Sequence, residues 1–117
     1  MMQVLGAAGG NDAQRHATAL LIHPRILLDA GHVMQTLGEH SVDIEHVLLT
    51  HAHFDHIADL PFLIETHFEQ RRRPLKVYAL KATLEALQQH LFNDVIWPRF
   101  HTLAHPQTQQ PMLEFVE

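Results

Sequence analysis

The sequence contains no cysteine. Disulfides, thiolate metal sites and a cysteine nucleophile are excluded, and any metal ion must be held by nitrogen and oxygen ligands. No apolar run approaches the roughly 20 residues that span a bilayer. The opening Met1-Met2-Gln3-Val4-Leu5 lacks the positive charge that begins a signal peptide, so the expected location is cytoplasmic, with no membrane partner. Basic charge is scarce: 8 Lys and Arg stand against 13 Asp and Glu, a net charge of −5. That balance argues against a nucleic-acid surface. Arg71-Arg72-Arg73, the one basic run, reads as a solvated helix end. Internal repeats and low-complexity segments are also absent.

What remains is the composition of one small domain with one core. The chain has 117 residues, of which 46% are apolar and 18% charged. Met2 to Leu5 is a short apolar run ending in the loop signal Gly6-Ala7-Ala8-Gly9-Gly10. Thr18 to Ile22 and Arg25 to Leu28, split by His23-Pro24, predict a β-hairpin closed by Asp29-Ala30-Gly31. A short helix fits Val33 to Glu39, and Ile44 to Leu49 predicts a buried strand. Leu60, Leu63, Ile64, His67 and Phe68 recur at helical spacing until Pro74. Lys76 to Leu80 predicts a strand, and Leu80, Leu84, Leu87 and Leu91 a second helical stripe. Asp94 to Phe100 reads as a loop anchored by Trp97, Pro106 to Pro111 as a polar linker, and Leu113 to Val116 as a strand. Strands that lead into alternating strands and helices indicate an α/β sandwich.

Histidine is abundant, with 12 residues. Most are scattered among loop and helix-surface positions and read as exposed or hydrogen-bonded rings. The stretch Thr50-His51-Ala52-His53-Phe54-Asp55-His56 differs, because four polar groups follow directly on the apolar Val47-Leu48-Leu49. A buried strand does not end so unless something satisfies those groups. An extended segment places His51, His53 and Asp55 on one side, and a helix beginning near Asp55 and His56 lets both project toward a common centre. Imidazoles with a carboxylate suit zinc, with manganese or iron as alternatives.

The same stretch resembles the signature of the metallo-β-lactamase-fold hydrolases. Val4-Leu5-Gly6-Ala7-Ala8-Gly9-Gly10, Leu60-Pro61-Phe62-Leu63 and, above all, Phe92-Asn93-Asp94-Val95-Ile96-Trp97-Pro98 are similar to the class II 3′,5′-cyclic-nucleotide phosphodiesterases. The resemblance implies an αβ/βα sandwich and two divalent metal ions. His51 and His53 would hold the first ion and Asp55 and His56 the second. Asp55 would also help to manage a proton as the catalytic residue. Asp29 matches the family's early acidic position; a turn-capping aspartate before Gly31 is its other reading.

The activity implied is hydrolysis of a phosphodiester, a 3′,5′-cyclic nucleotide, by a metal-bound hydroxide. The later histidine ligands and the bridging aspartate of the family have no counterpart, since His101 and His105 stand too early. Residues 1–117 are therefore expected to be the N-terminal part of a single metallo-hydrolase domain, inactive alone and prone to self-association, with a homodimer possible. Two alternatives stay open. One is another hydrolase of this fold, such as a relative of the transfer-RNA 3′-processing endonuclease; the other is a non-catalytic fragment.

Overall fold

The computed structural model describes residues 2–10 and 15–117. Alternating apolar residues in short β-branched and leucine-rich runs produce six strands: β1 (Gln3–Gly6), β2 (Ala19–His23), β3 (Ile26–Leu28), β4 (His46–Leu48), β5 (Leu75–Tyr78) and β6 (Leu113–Val116). They form one sheet in sequence order. The pairs β1–β2 and β2–β3 are antiparallel, joined in the second case by a turn at Pro24-Arg25, one residue later than the predicted His23-Pro24. From β3 to β6 every pair is parallel, with Leu27 beside Val47 and Val47 beside Val77. Parallel neighbours need crossovers, and helices supply most of them. These are α1 (Met34–Leu37) with a 3₁₀ segment at Gly38–Asp43, α2 (Phe54–Ile57), α3 (Leu60–Glu65) and α4 (Lys81–His90).

The period-2 pattern decides which face is covered. Val47, Leu75 and Val77 are buried, whereas His46, Lys76 and Tyr78 are half-buried and Leu48 is 37% exposed. Leu60, Leu63, Ile64, Leu84 and Leu87 join Leu27, Val47 and Val77 in one cluster. The helices thus cover one face of the sheet and leave the other open.

Several boundaries differ from those the sequence predicts. α1 stops at Leu37 rather than Glu39, because Gly38 adopts φ 54 and the chain tightens into the 3₁₀ segment. Leu80 is not part of the α4 stripe: it is the N-cap residue and is 76% exposed. Arg71 is not solvated. Its guanidinium is buried and donates to the carbonyls of Ile44 (2.6 Å) and Leu63 (3.2 Å), tying the 3₁₀ exit to α3. Burial lowers its pKa to about 10, with Glu45 and Asp43 opposing the shift. His67 and His105 are buried and hydrogen-bonded: the Ser41 hydroxyl donates to the Gly38 carbonyl and accepts from His67 Nε2–H, and His105 Nε2–H donates to the Phe68 carbonyl. Among the described residues, no helix is long and apolar enough to cross a membrane.

Candidate metal centre

Asp29 follows β3 and Thr50 follows β4, so adjacent parallel strands deliver both residues to the same edge of the sheet. The chain bends at Thr50, His53 is extended at φ −62 and ψ 144, and α2 begins at Phe54. Asp55 and His56 therefore enter from the first turn of a helix, while His51 and His53 come from the chain before it. The rings meet: the centroid of His51 lies 4.5 Å from that of His53 and 4.1 Å from that of His56.

Asp29 organises this group. The His56 Nδ1–H donates to Asp29 Oδ2 at 2.8 Å. The Thr50 hydroxyl donates to Asp29 at 2.9 Å, and the Thr50 backbone N–H donates to Oδ1 at 2.9 Å. With its proton spent on Asp29, the Thr50 oxygen accepts from His51 Nδ1–H at 2.9 Å. One carboxylate thus fixes two rings in the same tautomer, His56 directly and His51 through Thr50. Each ring is left with Nε2 as a free lone pair, which is how metal-binding imidazoles are held by an outer carboxylate.

A second distance bears on whether an ion fits. His56 Nε2 stands 3.4 Å from Asp55 Oδ2, longer than a good hydrogen bond. Two ligands of one tetrahedral zinc with bonds of about 2.0–2.1 Å lie about 3.3–3.4 Å apart. Nitrogen and oxygen donors at that spacing fit zinc in chemistry and in separation. Yet among the described residues no three His, Asp or Glu side chains are arranged to hold one ion. His53 and Asp55 line a concavity of about 490 Å³ with Gly9, Ala17 and Phe54, and His51 and His56 are not in its wall. The structure brings the four residues into one neighbourhood but not around one closed point.

Two residues near the motif escape the spacing argument. Asp59 is joined to Val33 and Met34, 26 and 25 residues away in sequence. His32 stacks on His16 with centroids 3.9 Å apart and planes 8° from parallel, and shares a hydrogen bond with Thr36. Burial lowers the pKa of His32, the His16 ring adds to that, and Asp59 opposes it.

A family model described as cAMP phosphodiesterases class-II matches residues 16–112. The chain belongs to that family. Among curated proteins, 3′,5′-cyclic-nucleotide phosphodiesterase 1 of Saccharomyces cerevisiae is 41% identical over 51 residues, covering 43% of this chain and 14% of its own length. Ribonuclease Z of Pyrococcus abyssi is 30% identical over 95 residues, covering 77% of this chain and 31% of its own. Among solved structures, unliganded yeast PDE1 superposes with a TM-score of 0.75 at 19% identity, over 99% of this chain and 50% of that one. The short form of human tRNase Z gives 0.63 at 23% identity, over 98% and 42%. The metallo-β-lactamase fold protein YhfI of Bacillus subtilis gives 0.63 at 24%, over 79% and 41%. The class-II family chain therefore has the metallo-β-lactamase fold. It spans half or less of these solved structures and a third or less of these curated relatives.

Proposed function

We propose that this chain carries part of a metal-dependent phosphodiester hydrolase site whose substrate is a 3′,5′-cyclic nucleotide. The carrying observation is the pair of rings that Asp29 orients, His56 at 2.8 Å and His51 through Thr50, beside a carboxylate on Asp55. Membership of the class-II cAMP phosphodiesterases supports the substrate. His51, His53, Asp55 and His56 are the metal ligands in this reading, and zinc is the ion that best suits them, ahead of manganese or iron. Bound divalent ions would supply Lewis acidity toward the phosphoryl oxygens and a water activated near neutral pH. The chain's own part is to hold the two Nε2 atoms in place, to screen them with the β4 end and α2, and to take or return a proton at Asp55 Oδ2.

In the same reading, residues 1–117 form the N-terminal part of a single metallo-hydrolase domain. The coverage of half the yeast PDE1 structure supports it. Four ligands do not fully hold two ions, so the chain alone is expected to turn over little substrate. A second reading, hydrolysis of an RNA phosphodiester, is favoured by the ribonuclease Z relative, which matches 77% of the chain. The net charge of −5 weighs against it, because RNA surfaces are basic.

The test is turnover of 3′,5′-cyclic AMP and of a precursor transfer RNA, with zinc or manganese supplied. The chain and a full-length domain containing it are each compared with their Asp55→Ala variants. Opening of the cyclic ester by the full-length domain, lost on chelation and in Asp55→Ala, is the expected result. Turnover that survives both treatments overturns the metal mechanism. Cleavage of the RNA alone moves the substrate to the second reading.

A further inference from the structure

Asp59 lies in the link between α2 and α3, just after the histidine motif. Its Oδ2 accepts the backbone N–H of Val33 at 2.7 Å and of Met34 at 3.0 Å. Its own backbone N–H donates to the Ala30 carbonyl at 2.9 Å, and the Ala30 N–H donates to the His56 carbonyl at 2.8 Å. With the Asp29–His56 contact, segment 29–34 is thus laced to segment 56–59 at five points. Asp29 begins the laced segment at φ 60, a left-handed conformation that a non-glycine residue keeps only when its surroundings hold it. Gly31, two residues on, has its backbone so close to the Asp55 carbonyl that no Cβ fits between them.

We infer that Asp59 is a positioning residue for the metal-binding turn. Its carboxylate fixes residues 29–34, which keeps Asp29 on His56 and so keeps His56 Nε2 beside Asp55. The inference rests on the metal reading of the motif given above. A carboxylate that merely capped α1 would stabilise four helical residues and leave the His56 ring unaffected. One that positions the turn acts on the ring and on whatever the ring binds.

The experiment compares the wild-type chain with Asp59→Ala and Asp59→Asn. Zinc affinity is measured by competition with a chromophoric chelator. The His56 tautomer is read by ¹⁵N NMR of the imidazoles at a pH where the rings are neutral. Asp59→Ala should lower zinc affinity about 10- to 100-fold and erase the preference for a proton on His56 Nδ1. Asp59→Asn should restore both, because its amide oxygen accepts the same two N–H groups. Unchanged affinity and tautomer in Asp59→Ala, or an Asn variant as impaired as the Ala one, overturns the inference. If Asp59→Ala does not fold, Asp59→Ser, too short to reach both amides, takes its place. Loss of folding in both makes Asp59 a residue of the fold and overturns the inference as well. A wild-type chain that takes up no zinc defeats the metal reading instead, and the tautomer measurement alone then decides on Asp59.

Discussion

Asp29 Oδ2 accepts the Nδ1–H of His56 at 2.8 Å, across 27 residues of sequence. The contact joins the end of β3 to the first turn of α2 and decides which ring nitrogen is left for a ligand. Replacing Asp29 by Asn preserves an acceptor and tolerates the left-handed backbone, but it removes the negative charge beside the ring. Zinc affinity in Asp29→Asn should fall about tenfold, and in Asp29→Ala further, within the 10- to 100-fold range of such outer partners. Chelator competition measures it. Equal affinities in wild type and both variants would separate Asp29 from the site.

The stripe of α3 offers a stability test. Leu63 is fully buried in the core, while Phe62, on the same helix, is 46% exposed and leans edge-on against Trp97. Leu63→Ala should cost about 2–5 kcal/mol. Phe62→Ala should cost clearly less, because much of its surface is already in water. Urea unfolding of the two variants checks the order. A reversed order would mean that α3 packs on its other face.

Arg71 was the residue least legible in the sequence. A run of three arginines reads as a solvated helix end. Arg72 and Arg73 are indeed exposed, but α3 has already ended at Glu65, so they lie on a bend before β5 and not at a helix end. The need for a buried donor arises only where the 3₁₀ exit leaves the Ile44 carbonyl without a ladder partner, a demand set 27 residues away. The same holds for Asp59, whose partners lie across a similar gap. By contrast, β4, β5, β6 and the buried faces of the two helical stripes were legible, because period-2 and period-3.6 burial is written locally. The first of those helices is shorter than its pattern predicts, since α3 ends at Glu65 and residues 66–70 are turns. The histidine motif was legible as a group through its spacing, but the part played by Thr50 in relaying Asp29 to His51 depends on side-chain geometry that spacing does not carry. Leu80 misled because it continues the α4 period one turn beyond the helix.

Arg71 also yields a prediction. Arg71→Met keeps the apolar stem but strips donors from the Ile44 and Leu63 carbonyls, and should destabilise by about 3 kcal/mol. Arg73→Ala should stay within about 0.5 kcal/mol. Thermal unfolding of both variants measures the contrast. Equal, small effects would place the Arg71 guanidinium in solvent after all.

Acid should weaken the fold through histidines that are buried, as His32 and His67 are, or half-buried, as His101 is. The pKa values of His32, His67 and His101 are all lowered, with burial the leading cause in each. The unfolded chain takes up these protons near the ordinary value of about 6.5, while the folded chain resists until lower pH. More protons are bound when unfolded, so stability is full above about pH 6.5 and declines as pH falls from there toward the folded values. Melting midpoints recorded from about pH 8 down to about pH 5.5 should follow that slope. His67→Gln should flatten it, since His67 is the buried ring that shares a 2.5 Å hydrogen bond with Ser41. A midpoint that rises on acidification would contradict the sign.

Gly31 gives the sharpest packing test of the motif. Its backbone passes the Asp55 carbonyl so closely that a Cβ would collide with it, and the Thr18 carbonyl and Ala17 Cβ stand 2.8 and 2.9 Å from the same point. Two of these neighbours are backbone, and neither can rotate away. Gly31→Ala must therefore push residues 29–31 off the turn that carries Asp55 and His56, at a cost of about 1–3 kcal/mol. The Ala30 N–H to His56 carbonyl bond of 2.8 Å is the contact that should lengthen first. Gly9 and Gly10 meet nothing within 4 Å at the equivalent position, so alanine there should leave the unfolding midpoint unchanged. Thermal unfolding and zinc uptake of the three variants give the answer together. A Gly31→Ala chain that melts and binds zinc as the wild type does would mean that the turn is not wedged against β3, and that Asp29 reaches His56 by some other path.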